Sequence, residues 1–189
     1  MHRLPTALVA ALALAACVPA SGAPTPRQTL TPTRVETPGG SIETWISADA
    51  QIRTDTVFAP AEAAWSALVP AYLALGITDS QVNLIDPDGR RVGAMRLQVR
   101  RLGGQRLSSY LDCGHQVGTV RADQALVTLS LQTTLEPRGS GETVVHTRLD
   151  AQARDVGVSS QPLPCTSNGS LERSIAMAVK TRTGESRWR

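Results

Sequence analysis

Two alternating stretches face each other across a short turn, and they limit the fold more than any other feature of the chain. Ala125, Val127, Leu129, Leu131 and Leu135 recur largely at every second position, with Thr, Ser and Gln between them. Pro137-Arg138-Gly139-Ser140-Gly141 supplies a reversal, and Val145, Leu149, Ala151 and Ala153 then share a second face. A period of two sends these side chains to one side of a strand. Two such runs predict a long antiparallel hairpin with one face buried and the other wet. A sheet of that kind must cover its apolar face with a second layer.

Candidates for that layer lie on either side. Pro60-Ala61-Glu62-Ala63-Ala64-Trp65 opens a helix, with Pro where a missing amide costs least and Glu62 near the positive helix end. Trp65, Leu68, Val69 and Tyr72 fall at i, i+3, i+4 and i+7, Gly76 is a natural stop, and Pro70 is expected to bend the helix. A second helix starts at Gly169-Ser170-Leu171-Glu172, carries Leu171, Ile175, Ala178 and Val179 on one side, and frays from Thr181. Residues 44–58 read as a strand region. Val82-Asn83-Leu84-Ile85 leads through the turn Asp86-Pro87-Asp88-Gly89 into a strand over 92–99. Gly103-Gly104 marks a further reversal, and 107–111 is short and partly apolar. With 189 residues, 41% hydrophobic and 19% charged, the chain suits one globular domain. The expected class is α+β: an antiparallel sheet of about five to six strands, packed by an N-terminal-side helix and a C-terminal helix, over residues 44–182.

The first residues read as an address. Met1-His2-Arg3 is a short basic start, and 7–16 is an unbroken run of ten apolar residues ending in small side chains. That is the layout of a secretory signal peptide, and it is too short to span a bilayer as a helix, which takes about 20 residues. Leu14-Ala15-Ala16-Cys17 resembles the lipobox of bacterial lipoproteins. The resemblance implies cleavage after residue 16, a diacylglyceryl thioether on Cys17 and acylation of the new amino terminus. Two or three acyl chains hold a protein to a membrane far more firmly than one, at about 0.8 kcal/mol per buried methylene. Val18 stands where some inner-membrane lipoproteins carry Asp, so the resemblance favours the outer membrane, facing the periplasm. Residues 17–43, with Pro19, Pro24, Pro26, Pro32 and Pro38 among Thr, Ser and Gly, read as an extended tether, the competing reading near Val35 and Ile42 being an irregular strand packed on the domain. The strand and helix order over residues 44 to 182, with Ala64-Trp65-x-x-Leu68 opening toward Leu75-Gly76-Ile77 and a hairpin, resembles helix-grip-like domains. These belong to the lipoprotein component C of the outer-membrane β-barrel assembly machinery. No functional residue carries over from that likeness.

With Cys17 given to lipid, Cys113 and Cys165 are the remaining cysteines. The oxidising envelope implied by the lipobox favours one disulfide between them. A second reading takes Cys113, His115, His146 and Cys165 as a zinc set of two sulfurs and two nitrogens. Cys113-x-His115 is too short for a paired-ligand knuckle, so no metal is expected. A third makes Cys113 a nucleophile activated by His115 or His146, which a disulfide would disable. Gly139-Ser140-Gly141 sits between two strands, not at a nucleophile elbow, and Asp86-Pro87-Asp88-Gly89 lacks the remaining ligands of a calcium loop. No dinucleotide fingerprint, phosphate loop or HExxH occurs, so no cofactor is expected.

Only six aromatic side chains are present, which leaves almost nothing for bases to stack on and excludes a nucleic-acid partner of that kind. The net charge is +3, and all basic residues except Lys180 are Arg, spread from Arg3 to Arg189. So even a distribution reads as composition and names no partner. The basic tail over 183–189, with Trp188, reads as solvated, or as touching an anionic surface. Taken together, the sequence predicts a lipid-anchored, non-enzymatic envelope protein that meets the membrane through Cys17 and engages an envelope partner. The alternative is a carrier of a small apolar ligand held between sheet and helices.

Overall fold

A computed structural model describes residues 30–37, 40–47, 52–116, 118–155 and 162–184. In chain order the strands before the first helix are β1 (Leu30–Thr37), β2 (Gly40–Ser47) and β3 (Ile52–Val57), followed by α1 (Ala61–Ala74). Next come β4 (Leu84–Asp86), β5 (Arg91–Val99), β6 (Arg101–Leu102), β7 (Gln105–Arg106), β8 (Leu111–Asp112), β9 (His115–Gln116) and β10 (Thr119–Val120). The short α2 (Arg121–Gln124) leads into β11 (Leu126–Arg138), β12 (Glu142–Arg154), β13 (Leu163–Ser167) and α3 (Ser170–Arg182).

The alternating runs form the predicted hairpin. β11 and β12 pair antiparallel from Leu126↔Arg154 to Arg138↔Glu142 without a break. Val127, Leu129, Leu131, Thr133 and Leu135 on β11 and Thr143, Val145, Thr147, Leu149, Ala151 and Ala153 on β12 form the buried face. β5 and then β4 extend the sheet beyond β11, while the far edge of β12 is shared by β3 and β13, with β8 added to β13. The class is therefore α+β, and the sheet has seven strands, all paired antiparallel. It exceeds the expected number because β8 has only two residues and β13 is a short segment interrupted by Pro164, so neither carries a periodic signal.

Helices α1 and α3 lie on the buried face and pack on each other. The apolar side of α1 is centred on Ala64, Ala67, Leu68, Ala71 and Tyr72, with Trp65 and Val69 at its flanks. The stripe expected from the large side chains is rotated slightly, because alanines allow the helix backbone to approach the sheet most closely. Pro70 stands inside the helix, and α3 continues through Thr181 to Arg182. Gly76, at φ +77°, ends α1 against the β6–β7 turn, and a Cβ there would lie 3.1 Å from the backbone nitrogen of Gly103.

Two differences concern strands. β5 bulges between its Leu97↔Leu129 and Ala94↔Leu131 pairs, so Met95 and Arg96 face Ser130 together. Arg96 takes φ +57°, and its amide donates to Ser130 Oγ at 3.1 Å. Asn83 stabilises the bulge by bonding both sides of the Met95 backbone, at 2.9 and 2.7 Å. The second difference lies at the amino-terminal side, where β1 pairs with β2 from Leu30↔Ser47 to Thr37↔Gly40. Strand pairing thus occupies the second half of the stretch read as an extended tether; a two-stranded ribbon tolerates Pro32 because each strand keeps an open edge.

Polar groups inside the core form one directional chain. The Tyr72 hydroxyl donates to the Val92 carbonyl at 3.1 Å, so its oxygen accepts from Thr133 at 3.0 Å. The Thr133 oxygen in turn accepts from Thr147 at 3.2 Å. Each member is buried, and the chain joins α1, β5, β11 and β12. Replacing Tyr72 by Phe removes the donor to Val92 and leaves Thr133 without its acceptor. Tyr72→Phe should therefore lower stability by about 1–3 kcal/mol, read from urea unfolding; an unchanged midpoint would show that water replaces the hydroxyl.

Two titrations bound the pH range of the fold. Asp86 accepts from the Gly89 amide at 2.9 Å and from the Arg91 guanidinium, which together hold its carboxyl below the usual range. Burial pushes the Tyr72 phenol far up. A lowered carboxyl contributes stability above its unfolded value of 3.8 and loses it as pH falls; a raised phenol contributes below 10.0 and loses it as pH rises. Asp86→Asn should flatten the acid limb of a stability–pH curve, and Tyr72→Phe the alkaline limb.

Candidate functional site

Cys113 follows β8 and Cys165 lies on β13, and their sulfur atoms are 2.03 Å apart, at disulfide distance. The register explains the meeting. Cys165 pairs with Ala151 of β12, and the next residue, Thr166, pairs with Asp112 of β8. Both cysteines are buried, and the bridge sits at the edge of the sheet, where β8 is added to β13. Arg121 supports it from α2: its backbone amide donates to the Gly114 carbonyl, Nη1 to the Cys113 carbonyl at 3.3 Å, and Nε to Asp155 at 3.1 Å. The Arg121–Asp155 pair is largely shielded from solvent, so it fixes the segment after Cys113 to the end of β12.

The alternative chemistries come apart on this geometry. His146 stands on the outer face of β12, where Nδ1 meets Thr54 Oγ1 at 3.2 Å and Nε2 meets Glu136 Oε2 at 2.9 Å. His115 is exposed on β9. Neither the zinc set nor the thiol nucleophile survives once Cys113 and Cys165 are joined, since neither sulfur is then a thiolate. The hydroxyl, imidazole and carboxylate of Thr54, His146 and Glu136 form a line across three strands of an open sheet face. The neighbouring backbone amides serve the strand ladders, so the line acts as a cross-strand contact. Ser140 lies in the β11–β12 turn, as expected.

One feature was not legible in the sequence. The register of β3 ends at Ile52↔Arg148 and that of β13 begins at Cys165↔Ala151, which leaves a notch in the edge of the sheet. A cavity of about 380 Å³ lies between β3 and the β13–α3 junction, lined by Ile52, Arg53, Thr54, Ser167, Asn168, Gly169 and Glu172. Glu172, in the first turn of α3, is 1% exposed, and its Oε2 has no hydrogen-bond partner among the described residues. Arg53 holds Asp55 through Nε at 3.1 Å. The helix's positive end partly offsets the buried carboxylate. Glu172 looks from the sequence like an ordinary acidic residue at a helix start, and only the packing of α3 over β3 buries it.

Cys17 and residues 185–189 of the basic tail lie outside the described residues. Among the described residues, no helix is long and apolar enough to cross a membrane. Comparison with known proteins finds no matching family model and no matching curated relative.

The bridge closes a sequence separation of 52 residues. A loop of that length corresponds to ~4 kcal/mol in the chain-entropy model. Cys113→Ser with Cys165→Ser should therefore lower the unfolding midpoint strongly, and thiol titration of the unmodified protein under denaturant should find these two cysteines unreactive until reductant is added. Two reactive thiols before reduction would show the bridge absent.

Proposed function

We propose that this chain is a lipid-anchored cell-envelope protein that works without catalysis, as a periplasmic interaction or structural module held to the membrane through Cys17. The observation that carries the reading is the Leu14-Ala15-Ala16-Cys17 sequence closing a ten-residue apolar run. The folded part supports it in two ways. Its two cysteines lie at disulfide distance, an arrangement suited to an oxidising compartment. Its candidate nucleophile and metal ligands are engaged in structural contacts: Cys113 with Cys165, and His146 with Thr54 and Glu136. The outer membrane is the favoured site, by the residue after the cysteine. An envelope protein is the favoured partner, with the open face of the sheet as the surface offered to it.

The apolar-ligand carrier takes second place. The space between sheet and helices where such a ligand would sit is filled by Leu68, Tyr72, Leu131, Leu149 and Ile175, which belong to one continuous core.

The test is expression of the full chain in a diderm bacterium, followed by mass analysis and detergent phase separation. The protein should begin at residue 17, carry the mass of two or three acyl chains and partition into detergent. Cys17→Ser should abolish all three properties. An acyl-free protein with an intact leader would refute the reading.

A further inference from the structure

Three of the 18 arginines lie together around the Gly103-Gly104 reversal and share one concavity. Arg100, Arg101 and Arg106 line a concavity of about 450 Å³, closed on its other side by Thr119, Asp123 and Gln124. Arg101 and Arg106 are directly opposite each other in the β6–β7 pair. Like charges in that position destabilise a strand pair. None of the three guanidinium groups has a carboxylate within ion-pair distance among the described residues. The one acid in the wall, Asp123, accepts from the Ser108 amide at 3.0 Å and from the Ser108 hydroxyl at 2.8 Å. Arg101 otherwise reaches only the Gly104 carbonyl, through Nη1 at 3.4 Å.

This hairpin is not a loose tip on which charge repulsion could relax. Its turn is docked against the end of α1, where a Cβ on Gly103 would lie 3.0 Å from the Leu75 carbonyl oxygen. Leu102 and Leu107 anchor its two ends in the core. The opposite wall is fixed as well, since α2 is tied to the end of β12 through Arg121 and Asp155. A rigid pocket that concentrates three unpaired positive charges violates a local rule of strand pairing, and such violations mark sites that a ligand completes.

We propose that this concavity binds a phosphoryl group through the guanidinium forks of Arg100, Arg101 and Arg106. A phosphate carries up to two negative charges and several acceptor oxygens, which match converging guanidinium forks; a single carboxylate would balance only one of the three charges. The amide of Gln124 adds a donor at the rim. The same chemistry is found in a free phosphorylated small molecule and in the headgroup of an anionic phospholipid.

The experiment uses the full chain with Cys17→Ser, so that no acyl chain contributes. Inorganic phosphate, compared with chloride at equal ionic strength, should raise the unfolding temperature saturably. Arg101→Gln and Arg106→Gln should each weaken phosphate affinity about tenfold, in calorimetric titration. In phosphate-free, low-salt buffer the same variants should unfold at an equal or higher temperature, because the cross-strand repulsion is relieved. Arg138→Gln, exposed at the far end of β11, should change neither quantity. Phosphatidylglycerol vesicles, against phosphatidylcholine vesicles, distinguish the source. Arginine-dependent sedimentation that phosphate competes away assigns the lipid headgroup; phosphate binding without it assigns a free phosphorylated molecule. The proposal fails if phosphate acts no differently from chloride and vesicle binding ignores the arginines, or if both glutamine variants bind phosphate as the parent does.

Discussion

Every other part of this fold is placed by the ladder between β11 and β12. Its 13 residue pairs run in one register, so a slip by a single residue would turn Val127, Leu129, Leu131 and Leu135 out to water and bury Thr128, Ser130 and Gln132. Loss of that apolar face would cost several large side chains at about 1.5–3 kcal/mol each. The register is thus specified by the side chains themselves. β12 then serves as the common rail: β11 occupies one edge along its whole length, and β3 and β13 divide the other. The notch between β3 and β13 is a direct result, because two separate strands share one partner without meeting.

The hydroxyl chain from Thr147 through Thr133 and Tyr72 to the Val92 carbonyl sits at the centre of the same ladder. Thr133 and Thr147 are direct cross-strand neighbours on the buried face, in a row otherwise made of Val, Leu and Ala. A buried hydroxyl costs free energy unless paired, and here each oxygen finds a partner only when α1 is seated at one height on the sheet. Leu68 and Ala71 would tolerate a small sliding of α1, since apolar contacts are not directional. Tyr72 does not. The polar chain therefore selects one arrangement among several that hydrophobic packing alone would accept.

What the sequence disclosed follows from how regular each element is. The alternation at 125–135 and 145–153, the Asp86-Pro87-Asp88-Gly89 turn and both long helices repeat a period or a turn signature, and each appears in the structure. β13 was hidden because Pro162 precedes and Pro164 interrupts a strand of five residues that pairs with β12 over only three positions. The bulge at Met95 and Arg96 was hidden too, since an extra residue in a strand leaves the local composition unchanged. For the candidate sites the division is sharper. Reading Cys17 as lipidated leaves Cys113 and Cys165 as the remaining pair, and the structure brings those two sulfur atoms to disulfide distance. The burial of Glu172 was not legible, because it depends on which elements pack together; the grouping of Arg101 and Arg106 is local to the Gly103-Gly104 reversal, and only the wall that faces them has no local signal.

The disulfide and the arginine concavity are mechanically related. β8 meets β13 through only two residue pairs, far too few to hold a strand by hydrogen bonds alone. The wall that supplies Thr119, Asp123 and Gln124 to the concavity is therefore held at three points: the Cys113–Cys165 bridge before it, the Arg121–Asp155 pair, and the bonds from Ser108 to Asp123. The opposing wall depends on neither the bridge nor the ion pair, because β6 and β7 rest on α1 through Gly76 and Gly103. Reduction would thus free the start of this wall, while Arg121–Asp155 and Ser108–Asp123 still hold its end. A bond between the two cysteines thus does more than stabilise a small domain: it fixes the start of the segment that faces the arginines.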